Sequence, residues 1–133
     1  MLVQDNNFWA WLAGFIDGEG YFGLFKHKHP HPRKGYMWTI VLDIVSKDRW
    51  ILEFIAEKTG MGMIQKSGSC FSLKLYSNML GAILPKLVTY LVLKRRQAEL
   101  LQKALGHMEY RKHRDDRTDE ILENLSMQLK SLR

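Results

Sequence analysis

Two carboxylates set among glycines are the residues of this chain best suited to chemistry. Asp17 and Glu19 alternate with Gly18 and Gly20 at the end of an apolar segment. If that segment is a helix, both acids lie at the negative end of its dipole, which is unfavourable without a compensating positive charge. A divalent cation would compensate well, because hard cations prefer carboxylate oxygen. The residues alone also allow a simpler interpretation, in which the acids cap the turn of a helix packed in the core.

A basic stretch follows the two acids, and the whole chain carries a formal charge of +6. This balance favours a polyanionic partner, although a solvated basic loop explains the charge equally well. Alternate histidines in the same stretch could bind zinc, but nothing nearby completes a tetrahedral ligand set. A loop that contacts DNA or solvent is therefore the preferred interpretation. Between positions 21 and 47 the only acid is Asp43, the bases are Lys26, Lys28, Arg33, Lys34 and Lys47, and the histidines are His27, His29 and His31.

Composition limits the remaining possibilities. The 133 residues fit one domain, and a hydrophobic content of 46% is ample for a core. A single cysteine, Cys70, excludes an internal disulfide framework and is best interpreted as a strand residue. No apolar run reaches the roughly 20 residues that span a bilayer, and acidic Asp5 argues against a signal peptide. We expect an intracellular protein, in an organelle or in prokaryotic or phage cytoplasm, with no membrane partner and no small-molecule cofactor.

The elements that must position the acids follow from the apolar spacing. The sequence predicts an α+β fold of order αββαββα, in which helices cover one face of an antiparallel sheet and the other face is free for a ligand. The core is expected over about 5–107, with a helical extension over 108–133, and Trp50 is assigned to the core. The predicted helices are 5–18, 48–59, 78–91 with a bend or restart at Pro85, 95–107 and 118–132, and the predicted strands are 21–28, 37–45, 61–66 and 70–76.

The segment from Leu12 to Gly20, LAGFIDGEG, resembles the motif of the LAGLIDADG homing endonucleases at each of its positions. Similar agreement occurs over 43–55, 60–64 and 91–100, so the resemblance covers about residues 8–105. It implies the family fold and an intron-encoded type of enzyme that cuts both strands of a long, roughly palindromic DNA site with Mg²⁺ or Mn²⁺. Because the chain contains one motif where two acid sites are needed, the resemblance also implies a homodimer.

The same resemblance assigns roles to individual residues. Glu19 matches the metal-binding acid, with Gly18 beside it, whereas Asp17 matches an acid that more often bonds locally than binds metal. Lys94 matches a basic residue that could stabilise phosphate charge, and Arg96 could support it. Ser46 occupies a position where relatives often carry glutamine, so it would orient a water more weakly. The motif helix should supply the dimer interface, for which the expected residues are Trp9, Ala10, Ala13, Gly14 and Asp17.

The free face of the sheet is expected to read DNA in the major groove, where base edges carry a full donor and acceptor code. The strand residues expected to point outward are Tyr21, Phe25, His27, Thr39, Asp43, Gln65, Ser67, Ser72, Lys74 and Tyr76, and those expected to contact phosphates are Lys26, Lys28, Arg33 and Lys34. Two alternatives on the same fold are an intron RNA maturase and a non-catalytic DNA-binding regulator. Intact acids at both motif positions favour the nuclease.

Overall fold

A four-stranded antiparallel sheet with helices on one face is the architecture of the computed structural model, which describes residues 5–28, 30, 36–109 and 116–133. The observed order confirms the predicted α+β class, and the C-terminal segment adds a fifth helix. The elements are α1 (Asn6–Glu19), β1 (Gly20–Lys28), β2 (Tyr36–Ser46), α2 (Arg49–Thr59), β3 (Met63–Ser67), β4 (Cys70–Tyr76), α3 (Ser77–Val88), α4 (Arg95–Glu109) and α5 (Asp116–Ser131). None of the helices in these described ranges combines the length and apolarity needed to cross a bilayer.

Helix α1 begins and ends where its sequence signals predict. The Asp5 carboxylate accepts a hydrogen bond from the Asn7 backbone N–H at 2.9 Å, which satisfies one of the free donors of the first turn. At the other end the backbone becomes extended at Gly20 and enters β1 directly. A side chain at Gly20 would lie 2.8 Å from Ile16, so only glycine permits this abrupt change of direction. The turn fixes the two acids at the junction of helix and sheet.

The sheet has the order β1-β2-β4-β3, and alternate residues of each strand face the helices. Trp38, Ile40, Leu42 and Ile44 of β2 are buried, as their alternation predicts, and Leu73 and Leu75 of β4 join them. The opposite side, here called the open face, carries the intervening residues. Its cross-strand rows include Tyr21 with Asp43 and Lys74, and Val45 with Ser72 and Gln65.

Helix α2 corrects one prediction. Trp50 was assigned to the core, but 65% of its surface is exposed because it follows the first residue of α2 on the solvent side. The residues of α2 that are buried are Leu52, Ile55 and Thr59. The end of the helix is as predicted, since Gly60 adopts a left-handed φ of 68° that favours glycine. Pro85 lies inside α3, which continues past it to Val88 without restarting.

Helix α5 packs on the helix-covered side of β1 and fixes the strand's far end. Its Glu123 carboxylate lies 2.8 Å from Lys26 Nζ, and its Asp119 accepts a hydrogen bond from Trp38 Nε1 at 3.0 Å. Leu122, Leu125 and Leu129 of α5 are buried in the common core. The placement of Lys26 corrects another expectation: its side chain lies on the helix-covered side, paired with an acid, and not on the open face among groups free to meet phosphates.

Candidate active site

The carboxylate of Asp17 ties the end of α1 to the start of α4. One oxygen, Oδ2, accepts a hydrogen bond from the Val92 backbone N–H, and Oδ1 accepts one from the Lys94 backbone N–H, both at 2.9 Å. These donors are 75 and 77 residues distant along the chain, so the contact is purely tertiary. Asp17 is half-buried, and its negative charge faces the entry to α4, where free N–H groups favour an anion. The arrangement agrees with the local bonding role that the motif resemblance gives to this acid.

The Lys94 side chain in turn contacts the backbone at the end of α1. Its Nζ donates to the carbonyl oxygens of Asp17 at 3.0 Å and Ile16 at 3.1 Å, which lie in the last turn of α1. The ammonium therefore supplies the positive charge that the C-terminus of the helix requires. Asp17 and Lys94 form a reciprocal clamp in which each side chain binds the other segment's backbone. The structure thus places Lys94 at the motif acids, as predicted.

Glu19 differs from Asp17 in having no such partners. It is exposed at the last residue of α1, and within the described part of the chain its carboxylate has no hydrogen bond or ion pair. Gly18, also exposed, lies in the same terminal turn, where carbonyl groups lack an intrahelical donor. A free carboxylate and a free carbonyl are the oxygen ligands that Mg²⁺ accepts, and Mg²⁺ completes its shell with water and phosphate. The donor set therefore fits a divalent cation.

One chain offers few ligands for such an ion. Among the described residues there is no cluster of three or more His, Cys, Asp or Glu side chains suited to holding a metal. The two acids of the motif are also divided in function, since both Asp17 oxygens already accept backbone N–H groups. The geometry thus favours Glu19 and Gly18 over Asp17 as the metal ligands expected from the sequence.

Ser46 and Arg96 border the same end of α1. Ser46 is the last residue of β2, two positions beyond Ile44, which pairs with Gly20. Its hydroxyl oxygen accepts the Asp48 backbone N–H at 3.1 Å, which leaves its proton free to donate. Arg96 is exposed in the first turn of α4, two residues after Lys94. The structure thus brings Lys94 into contact with the end of the motif helix, with Ser46 at the end of a strand adjoining Gly20's strand and Arg96 two residues after Lys94.

The outer surface of α1 is lined by small residues. Ala10, Gly14 and Gly18 are exposed along it, and side chains added at Gly14 or Gly18 would meet nothing within 4 Å. Trp9 and Ala13 were also expected at a dimer interface, but they are 1% and 0% exposed and pack in the chain's own core. They lie on the inner side of the helix, because its inward face includes positions 8, 9, 12, 13 and 16. The small-residue surface is therefore narrower than predicted.

The open face of the sheet carries two stacked aromatic rings. Tyr21 and Phe25 of β1 have ring centroids 6.4 Å apart with planes at 15°, and both cover Gly23 between them. A side chain at Gly23 would lie 2.5 Å from the Phe25 ring, so the absent side chain makes room for the stack. The guanidinium of Arg133 lies 4.2 Å from the Tyr21 ring centroid and donates to the Phe22 carbonyl. Nothing near Phe22 in sequence indicates its hydrogen bond with Arg133, which spans 111 residues.

The other residues expected to contact DNA divide into four groups. Ser72 corrects the expectation of direct contact, because it is 3% exposed and its hydroxyl donates to the Asp43 carboxylate. Lys28 is exposed at the end of β1, in the same alternation as Lys26. Outside the described residues lie Arg33, Lys34, His29 and His31. Those on the open face as predicted are His27, Thr39, Asp43, Gln65, Ser67, Lys74 and Tyr76.

Comparison with known proteins agrees with this arrangement. The family model described as LAGLIDADG endonuclease matches residues 12–103. A structure of I-SmaMI bound to an uncleaved DNA target in the presence of calcium ions is similar at 29% identity and a TM-score of 0.83, over 97% of this chain and 46% of that chain. No curated protein sequence matches this chain significantly.

Two further solved structures share the fold over most of both chains. The homing endonuclease I-CvuI, in complex with the I-CreI target in the presence of Mg, superposes with a TM-score of 0.86 at 24% identity, over 96% of this chain and 83% of that chain. The archaeal intron-encoded homing endonuclease I-Vdi141I, complexed with DNA, gives a TM-score of 0.86 at 21% identity, over 97% of this chain and 86% of that chain. The fold predicted from the motif is confirmed.

Proposed function

The chain belongs to the LAGLIDADG endonuclease family, and from this premise we propose that it cuts both strands of a specific DNA site as a homodimer that uses divalent metal. The observation that carries the proposal is the contrast between the two motif acids. Asp17 is bonded to backbone N–H groups through both oxygens, whereas Glu19 two residues later is exposed and unpaired among the described residues. Because Lys94 already compensates the end of the helix, the unpaired Glu19 carboxylate is available to a divalent cation, for which carboxylate oxygen is a preferred ligand.

The residues around the motif supply complementary parts of a phosphodiester hydrolysis. Glu19 and the Gly18 carbonyl would hold a divalent cation, which supplies Lewis-acid stabilisation of phosphate charge. The Lys94 ammonium is fixed at the helix end by two carbonyls, so it adds positive charge there without having to reorganise. The Ser46 hydroxyl keeps its proton available to position a water.

DNA would lie along the open face, because none of the described helices covers this side of the sheet and it carries polar and aromatic side chains. An antiparallel sheet presents its strands to the major groove, where all four base pairs can be distinguished. Structures of I-CvuI, I-Vdi141I and I-SmaMI are complexes with DNA, which supports the same class of partner here. Lys28, at the exposed end of β1, would add electrostatic attraction to the phosphates.

Two copies are required by the chemistry. Each chain has a single motif, whose Glu19 is unpaired among the described residues, whereas cutting two strands requires two such sites. The surface formed by Ala10, Gly14 and Gly18 lets another helix approach closely, since no atom of the described residues lies within 4 Å of a side chain added at either glycine. An isologous contact along this surface would bring both Glu19 residues to one scissile region.

The experiment that tests the activity is cleavage of a randomised duplex library by the purified chain. Reactions with Mg²⁺, with Ca²⁺ and with EDTA are compared for the wild type and Glu19→Gln. Selective double-strand cuts at a roughly palindromic site, lost without Mg²⁺ and in the variant, are expected. Tight DNA binding without cutting under any metal would contradict the nuclease and favour a DNA-binding regulator. An intron RNA-binding assay then tests for a maturase.

The dimer is tested separately with Gly14→Leu. Because the added side chain has open space around it within one chain, the fold should be retained and the helix itself slightly favoured. Sedimentation should show a dimer for the wild type and a monomer for the variant, with loss of double-strand cutting. A Gly14→Leu protein that remains dimeric and active would contradict the proposed interface.

A further inference from the structure

On the open face a carboxylate and an ammonium stand side by side without pairing. Asp43 of β2 and Lys74 of β4 are directly opposite in the antiparallel register, on neighbouring strands about 5 Å apart. In the described part of the chain they form no ion pair with each other. Both are half-buried at the centre of the sheet, in the row that also contains Tyr21. Their charged groups are therefore held available to a ligand above the sheet.

Ser72 explains why the pair stays apart. Its hydroxyl, in a side chain only 3% exposed, donates to Oδ1 of Asp43. Ser72 precedes Lys74 by two residues on β4 and belongs to the adjacent row, so the bond draws the carboxylate diagonally away from the ammonium. A buried hydroxyl has one proton to donate, and here it is committed to Asp43. Oδ2 of Asp43 keeps its acceptor capacity, and Lys74 keeps its donors.

A carboxylate on a surface that binds DNA needs a specific reason. Phosphates repel it, and an ionised carboxylate can only accept hydrogen bonds. The only donors that bases expose in the major groove are the amino groups N4 of cytosine and N6 of adenine. Beside N6, adenine also presents the acceptor N7, which would face the second region of negative charge on the carboxylate. Cytosine has no acceptor at that edge, so Asp43 is matched to cytosine.

The neighbouring ammonium completes the match to one base pair. Guanine presents two acceptors, O6 and N7, on the other half of a C·G pair, and lysine donates to both readily. Resting on the proposed DNA cleavage, we infer that Asp43 and Lys74 read one C·G base pair in each half-site, with Asp43 on cytosine N4 and Lys74 on guanine. Ser72 is a positioning residue that aims the carboxylate.

The test compares the sites that four variants of the full chain select from the randomised duplex library, scored both by cutting with Mg²⁺ and by binding with Ca²⁺. Wild-type sites should share a C·G pair at one position of each half-site. Asp43→Asn should reduce that preference about tenfold or more and raise A·T, because an amide pairs with adenine N6 and N7. Ser72→Ala should weaken the preference for C·G without creating a preference for another base pair. Lys74→Met should weaken the same C·G preference and leave the other positions of the site unchanged.

The control is Glu57→Gln, which removes a carboxylate from the exposed side of α2 and should leave every position of the selected site unchanged. Circular dichroism establishes whether each variant is folded. If Asp43→Asn is not folded, the base preference of Ser72→Ala tests the role of the Asp43 carboxylate instead. Two results would overturn the inference if the wild type still cuts DNA. The first is that the selected sites share no invariant C·G pair, and the second is that such a pair is still selected by Asp43→Asn. Uniform weakening of all sites by Lys74→Met assigns that residue to phosphate and overturns its base contact. A wild type that neither binds nor cuts DNA overturns the proposed function itself.

Discussion

The two acids of the motif should respond oppositely to the same chemical change. Asp17→Asn removes the charge that accepts hydrogen bonds from the Val92 and Lys94 backbones, each at 2.9 Å. Hydrogen bonds to a charged group contribute about 1.5–3 kcal/mol each, and a donor left unpaired costs a further 1–3 kcal/mol. The amide keeps one acceptor oxygen but turns an N–H₂ group toward the other backbone donor. Glu19→Gln makes the same change at a residue that has no such partners.

The expected loss for Asp17→Asn is about 2–3 kcal/mol in the free energy of unfolding, at the lower end of the sum because the acid is half-exposed. For a domain of this size that corresponds to a fall in Tm of about 8–12 °C. Glu19→Gln should change the free energy of unfolding by at most about 0.5 kcal/mol. Its direction should be stabilising, since the substitution removes negative charge from a helix C-terminus.

Urea unfolding followed by circular dichroism measures both variants, at one protein concentration because association shifts apparent stability. DNA cleavage is measured on the same preparations. Glu19→Gln should abolish cutting while the free energy of unfolding is retained. The main effect of Asp17→Asn should be a lower free energy of unfolding. Equal destabilisation by the two substitutions would refute the division of labour between the acids. Wild-type stability for Asp17→Asn would show that the clamp on α4 contributes nothing.

Four further substitutions test other contacts. Lys94→Met removes an ammonium bound to two carbonyls, so it should cost about 1–2 kcal/mol of stability and lower the cleavage rate about 10²-fold or more, as measured by unfolding and single-turnover assays. Glu123 accepts a hydrogen bond from Lys26 and thereby raises the pKa of that ammonium. A raised folded pKa stabilises the fold below the ordinary lysine pKa of about 10.4 and loses that contribution as pH rises through the folded value. The Tm difference between wild type and Lys26→Met should therefore be present below the ordinary lysine pKa and shrink as the pH rises above it, with DNA affinity unchanged; a difference of constant size across that rise would contradict the pairing. Trp50→Ala should alter unfolding by at most about 0.5 kcal/mol, whereas Trp9→Ala should cost about 3–5 kcal/mol, and a large loss at the exposed tryptophan would refute the observed burial.

Local periodicity was sufficient to predict the elements of the fold. Apolar residues repeat every second position in β2 and every third or fourth in α2, and those spacings reflect the geometry of single elements. Glycine also marks local events, as at Gly60, where a left-handed φ ends α2. The motif gave the position of the acids for the same reason, because helix, turn and strand are contiguous in sequence.

Residue spacing alone could not predict which side chains are engaged by distant partners. The family resemblance distinguished Asp17 from Glu19, but the partners of Asp17 are fixed only when the segment before α4 packs against α1. The same limit explains the errors at Lys26 and Ser72, whose partners Glu123 and Asp43 lie on other elements.

The predictions for Trp9, Ala13 and Trp50 were wrong for a related reason. Their apolar or small character does not state which side of a helix meets the chain's own core, and that choice depends on how the helix is rotated against the sheet. The sequence by itself therefore determined the elements, their order and the position of the motif acids. Tertiary contacts decided which motif acid has no partner among the described residues, which charges face the open sheet and how narrow the small-residue surface of α1 is, because each depends on neighbours distant in sequence.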